Sequence, residues 1–151
     1  MNIVVIFATQ PEIWYDGSTY WWKSARSERI STKAGLVGML AGAHRQAAED
    51  IEKTILPLQA ASYAARVVIE GAWGAAFHWI AFGCETKHQN HQESHARLGT
   101  FLRRQGEGAV AEWWEDIDRI RQGGWYGGSP APERVQRALD LVERIHTWAT
   151  S

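Results

Sequence analysis

From residue 32 to its end, the chain has the apolar periodicity of amphipathic helices. Apolar residues recur every three or four positions between Leu36 and Ile55, and Pro57 prevents a helix from continuing beyond this segment. The same spacing returns in four further segments: 59–82, 90–104, 107–122 and 130–149. Because the links between these segments are short, the sequence predicts a mainly α fold, an antiparallel up-down bundle of four or five helices.

Local signals within the bundle predict where individual helices begin and end. The second segment is apolar nearly all round, which is typical of a central, buried helix, and Gly83 is expected to end it. Residues 90–93 have the pattern of a capping box at the start of the third helix. Gly123 and Gly124 are expected to end the fourth helix in a left-handed turn.

The first 31 residues carry β signals instead. A β-branched apolar run at residues 3–7 predicts a strand. Asp16 and Gly17 form a tight-turn dipeptide, and aromatic residues flank it at 13–15 and 19–22, so a hairpin is predicted there. A polar connector follows, and the chain is expected to have two parts: residues 1–31, a β strand, hairpin and connector, and residues 32–151, the helical bundle.

Composition limits the function classes open to this chain. The 151 residues include 16 Lys and Arg and 17 Asp and Glu. This near-zero net charge argues against a surface that binds nucleic-acid phosphates. Cys84 is the single cysteine, so no intramolecular disulfide forms. No apolar run approaches the ~20 residues of a membrane helix. We therefore expect a cytoplasmic protein with neither a membrane segment nor a cofactor.

Two stretches of the bundle resemble the HEPN superfamily, a group of small helical bundles found largely in prokaryotes. Residues 62–78 resemble the long small-residue helix of that family, including its Ala-Phe-His step at 76–78. Residues 118–128 resemble a HEPN turn in which Arg121 closes the fourth helix and Tyr126 is followed by glycine. The resemblance covers about residues 33–149 and omits the predicted hairpin.

This resemblance implies either a metal-independent ribonuclease or a non-catalytic module. HEPN ribonucleases carry an arginine, four to six intervening residues and then a histidine, which act together at an RNA phosphate. None of the six histidines here has an arginine at that distance upstream. The resemblance therefore implies a non-catalytic binding or partner module for a protein or nucleotide-like ligand, which is homodimeric or paired with a nucleotidyltransferase-type protein.

A polar line on the second helix is the leading candidate ligand site. Arg66, Glu70 and His78 stand, with Gly74, at four-residue spacings on an otherwise apolar helix, so they share one slowly turning face. With Arg121 and Tyr126 from the family-like turn, they are predicted to bind a small anionic or nucleotide-like ligand. The structural alternative is an internal Arg–Glu pair and a histidine bonded to another helix, since buried charges must be paired. In that alternative Arg121 closes a helix end.

Histidines are dense around the start of the third helix. His91 and His95 are four residues apart, and His88 lies close by, so the three are a possible metal-ligand set, with Glu85 and Glu93 nearby. The spacing is not that of a His-Glu-x-x-His motif, and polar residues at a helix start are more often solvated or capping. No metal is therefore assigned.

The chain contains nine tryptophans, more than one small core obviously requires. Trp14, Trp21 and Trp22 fall on the predicted hairpin, and an isolated two-stranded hairpin is barely stable in water. We therefore expect these three residues to form an interface, either with the bundle of the same chain or with a second chain in a homodimer. Two other functions stay open: a degenerate nuclease or nucleotide-handling enzyme that uses Arg66, Glu70 and His78, and a small-molecule binder with an aromatic-lined pocket.

Overall fold

A computed structural model describes residues 13–15, 20–22, 33–126 and 131–151, with side chains for 40–123 and 131–151. The chain divides into two compact units, Met1–Ser31 and Thr32–Ser151. In the first unit, strand β1 (Ile13–Tyr15) pairs antiparallel with strand β2 (Tyr20–Trp22), and Trp14 lies opposite Trp21. The strand predicted at 3–7 lies outside the described residues.

The second unit is helical, which confirms the mainly α prediction for the described residues. It contains five helices: α1 (Lys33–Ile55), α2 (Ala65–His88), α3 (His95–Arg104), α4 (Gly108–Tyr126) and α5 (Pro132–Thr150). Two short 3₁₀ turns, Leu56–Leu58 and Ser62–Ala64, connect α1 to α2. The first of them contains Pro57, the residue that prevents α1 from continuing.

Helix α2 is the centre of the bundle, and it packs against α1, α4 and α5, while α3 packs on α4. Its buried face is built from small residues, including Ala72, Ala75 and Ala76, which allow neighbouring helices to approach closely. Trp79 is completely buried among them, and its indole Nε1 donates to Glu52 Oε1 on α1 at 2.8 Å. The central position predicted for this helix agrees with its packing.

Among the described residues, one segment, Ser62–His88, is long and apolar enough by length and composition alone to cross a membrane. More than half of its apolar stretch is buried inside the bundle. The expectation that no apolar run approaches the length of a membrane helix is therefore wrong for this segment by length and composition alone. The packing of α2 against three neighbouring helices accounts for its apolar character.

Gly83 does not end α2, contrary to the sequence prediction. The helix continues to His88 and ends at Gln89, which has a left-handed φ of 54° and donates its N–H to Glu85 O at 3.0 Å. Gly83 instead lies where α5 crosses: a Cβ built on it would be 2.5 Å from the Trp148 ring. The missing side chain makes room for the neighbouring helix.

The predicted boundaries of the later helices also differ. Helix α4 runs through Gly123 to Tyr126, and Arg134 of α5 donates to Ile120 O at 2.7 Å near its end. Helix α3 begins after Ser94 rather than at the predicted capping box, and the Ser94 side chain makes no capping bond. Helix α5 begins at Pro132, where the fixed φ of proline suits the first turn.

Candidate functional site

An apolar groove of about 700 Å³ lies between the second half of α1 and the first half of α2. Ile51, Ile55 and Val67 supply apolar lining. Arg66 and Glu70, two of the predicted ligand residues, also line it.

Glu70 and Arg121, both predicted ligand residues, are brought together by the packing of α2 on α4. Arg121 Nε donates to Glu70 Oε2 at 2.8 Å, and the guanidinium carbon lies 4.3 Å from the centre of the Trp73 ring. Trp73 Nε1 donates to Asp118 Oδ1 at 3.1 Å. This half-buried network ties two helices together, and the cation over the indole ring adds to the ion pair. Glu70 is thus in an Arg–Glu pair, as in the structural alternative, but Arg121 pairs across two helices, whereas that alternative had it close the end of its own helix.

His78 has its contacts in a different neighbourhood, further along α2. Its Nδ1 lies 2.9 Å from Nδ1 of His44 on α1, so one ring donates and the other accepts. Burial lowers the pKa of His78, and the nearby His95 adds to the effect. Burial also lowers the pKa of His44 to about 4, with the positive charges of His91 and His78 next in importance. The His44 ring is therefore neutral near pH 7.

The three histidines predicted as a possible metal set have separate contacts. His91 Nδ1 lies 2.7 Å from Glu85 Oε1, and His88 Nε2 lies 3.0 Å from Glu107 Oε1. The His95 ring packs against aromatic rings of α2, 4.3 Å from Phe77 between ring centres. Among the described residues, the group whose ligand atoms all lie within 4.8 Å of one another is His44, Glu85 and His91.

Sequence reasoning did not select His44 for any site. It stands on α1, 41 positions before Glu85, and no spacing rule connects the two residues. Glu85 and His91 come together because the left-handed residue Gln89 turns the chain back over the last turn of α2. A positive-φ position occupied by glutamine carries little sequence signal, since glycine or asparagine is usual there.

Other predicted site residues lie where their side chains are not described. Tyr126 is the last residue of α4, and Trp14, Trp21 and Trp22 lie on β1 and β2. Their predicted roles, in a ligand site and in an interface, stay predictions.

Comparison of the chain with protein-family models, with curated proteins and with solved structures finds no match in any of the three.

Proposed function

We propose that this chain is a non-catalytic, HEPN-like antiparallel bundle with a small N-terminal hairpin appendage, which acts as a binding module and assembles as a homodimer. The observation that carries the proposal is the exposed apolar groove between α1 and α2. The resemblance at residues 62–78 and 118–128 supports the family, and the missing Arg–His spacing supports a role without RNA cleavage.

One of the exposed large hydrophobic side chains, Val67, lines this groove. The described residues include four exposed large hydrophobic side chains, and three of them lie at the α1–α2 corner: Leu56, Tyr63 and Val67. Tyr63 is 87% exposed and Val67 is 57% exposed. Covering either side chain contributes about 1–2 kcal/mol to association, because apolar surface leaves water. An exposed apolar groove of this kind is typical of an interaction surface.

The polar rim of the groove favours a second copy of the chain as the occupant. Asp50 and Glu70 are acidic, whereas Arg66 is basic, so one groove carries both signs of charge. In a twofold dimer the same patch of both copies forms the contact, so a basic residue of one copy can face an acidic residue of the other. A patch that carries both signs of charge is therefore complementary to a second copy of itself. We therefore place the homodimer contact on this groove. Trp14, Trp21 and Trp22 of β1 and β2 are proposed as a separate interface of the hairpin.

Sedimentation equilibrium of the full chain tests the proposal. We expect the wild type to sediment as a dimer. Val67→Asp puts a carboxylate in the middle of the apolar contact and should weaken dimerisation at least tenfold. The matched control is Thr100→Asp, which puts the same charge at an exposed position of α3.

Two results would contradict the proposal. One is a wild type that stays monomeric at high concentration, which would leave a different protein, such as a nucleotidyltransferase-type partner, as the occupant. The other is a Val67→Asp variant that dimerises as well as Thr100→Asp. Circular dichroism of both variants checks that a change in mass does not result from unfolding.

A specific observation favours binding of a small aromatic molecule as a second candidate function. A pocket of about 530 Å³ between α4 and α5 is lined by Trp113 and Trp148, with Arg144 beside them. Indole faces stack on aromatic ligands, and an arginine pairs with an anionic group. Titration with nucleotides and aromatic metabolites should quench tryptophan fluorescence in the wild type, and Trp113→Phe should reduce the change. Identical titration curves for the two proteins would argue against this site.

A further inference from the structure

We infer that His44, Glu85 and His91 form a binding site for a divalent transition-metal ion of the zinc type. The inference is independent of the dimer proposed above, because none of the three residues lines the apolar groove. Three separate parts of the chain supply the ligands: the middle of α1, the last turn of α2 and the loop that follows α2.

The distances within the cluster suit a shared ion. One ligand atom from each residue lies within 4.8 Å of the others, and the His44 and His91 ring centres are 5.0 Å apart. His91 Nδ1 and Glu85 Oε1 lie 2.7 Å apart. A zinc ion bonds to imidazole nitrogen and carboxylate oxygen at about 2.0–2.2 Å, so small side-chain movements bring all three ligands onto one ion.

Glu85 provides an independent observation that points to a cation. The residue is only 2% exposed, and it is the one buried charged side chain in the described core. Its Oε1 faces His91, but its Oε2 is buried with no hydrogen-bond partner among the described residues. An unsatisfied carboxylate oxygen in the interior is costly, because it has lost water and gained no donor. A bound cation would satisfy it.

The surroundings of the cluster favour metal binding. Zinc binds imidazole nitrogen, and His44 is half-buried on α1 beside the His91 ring. His78 lies 2.9 Å from His44 through their Nδ1 atoms, and a hydrogen bond of this kind holds a ligand ring in one orientation. Glu85 and His91 also line a pocket of about 400 Å³, which has room for water as a further ligand.

The donor set determines the class of metal. Two imidazoles and one carboxylate suit zinc and its neighbours in the first transition row, whereas calcium and magnesium prefer sites made of oxygen atoms alone. With three protein ligands the site resembles open zinc sites, in which the remaining position is held by water or by an exogenous ligand.

Calorimetric titration of the full chain with ZnCl₂, after chelator treatment and desalting, tests the site. We expect saturable binding of one ion per chain. His91→Ala removes a ligand from a loop, and Glu85→Gln removes the charge at nearly constant volume. Each variant should weaken binding at least tenfold. Titration with CoCl₂ gives a second readout, since three or four protein ligands around cobalt produce visible absorption bands that the variants should lose.

Two control variants separate this site from general histidine binding. His88→Ala and His95→Ala remove neighbouring histidines that contact Glu107 and Phe77 instead, and both should bind zinc as the wild type does. The inference is overturned if the wild type shows no saturable binding, or if His91→Ala and Glu85→Gln bind as tightly as the controls. Circular dichroism of the metal-free variants shows whether each is folded, and Glu85→Gln remains informative if a histidine variant is not.

Discussion

Gly83→Ala is expected to destabilise the protein, although alanine is the better helix former. A Cβ at this position would lie 2.5 Å and 2.8 Å from two atoms of the Trp148 ring and 3.1 Å from Cα of Ala149. The indole has little freedom to move, because its Nε1 donates to Glu107 Oε2 at 2.9 Å. The backbone of α5 is no freer, since Ala149 is buried in the core.

The magnitude follows from three opposing effects. Replacing glycine by alanine within a helix gains about 1 kcal/mol. Overpacking of a close helix contact costs about 1–3 kcal/mol, and displacing Trp148 also loses a hydrogen bond that contributes about 1 kcal/mol. We therefore expect a net loss of about 1–3 kcal/mol in the free energy of unfolding. For a chain of this length that corresponds to about 2–4 °C in Tm for each kcal/mol.

Gly42→Ala is the matched control. Gly42 is also inside a helix, but it is exposed, and no described atom lies within 4 Å of a Cβ built there. With no clash to oppose helix propensity, this variant should gain about 1 kcal/mol. Urea unfolding followed by circular dichroism measures both variants. The reasoning is refuted if Gly83→Ala is as stable as the wild type, or if both variants shift stability in the same direction.

Three further predictions concern single side chains. Gln89→Gly should stabilise the chain by about 1 kcal/mol in urea unfolding, because Gln89 adopts a left-handed φ of 54° that glycine accepts without strain; a loss of stability would contradict this reasoning. Burial raises the pKa of the Cys84 thiol to about 12, so Ellman's reagent at pH 8 should label the unfolded chain but not the native one. Arg137, which donates to Asp116 at 2.9 Å, lowers the pKa of that carboxyl, so native Asp116 binds its proton less readily than the unfolded chain does. The resulting stabilisation is present above the ordinary carboxyl pKa and is lost as the pH falls through the lowered value. Urea midpoints from pH 7 to pH 3 should thus fall less steeply in Asp116→Asn, by a small margin because Asp116 is on the surface; parallel curves would contradict it.

Helix positions were largely predictable, but helix ends were not. Apolar spacing located all five helices, because each must bury one face in any bundle. The sequence predicts helix ends at Gly83 and Gly123, and both predictions are wrong. A glycine that ends a helix and a glycine that makes room for a neighbouring helix look alike in a sequence. The difference lies in Trp148 and Arg134, which belong to α5 and approach the two glycines only after folding.

The candidate sites, like the helices, were predictable from the sequence only in part. The polar line on α2 was visible as a repeat of four, and the structure places Arg66 and Glu70 in one groove. It also gives His78 a partner, His44, that no local pattern indicated. The possible metal set was expected among neighbours along the chain, whereas His91 lies in a cluster with Glu85 and with a residue of another helix.

The sequence by itself determined the class of the fold and its central helix. Apolar periodicity indicates which face of each helix is buried, and a segment that is apolar on all sides indicates a helix surrounded by others. Only the tertiary structure decided which polar residues meet, since helices bring together positions dozens of residues apart according to how their faces pack. The partners of Glu85 show the reason. His91 lies beside Glu85 because one residue with a left-handed φ turns the chain after α2, and His44 lies beside it because α1 packs on α2.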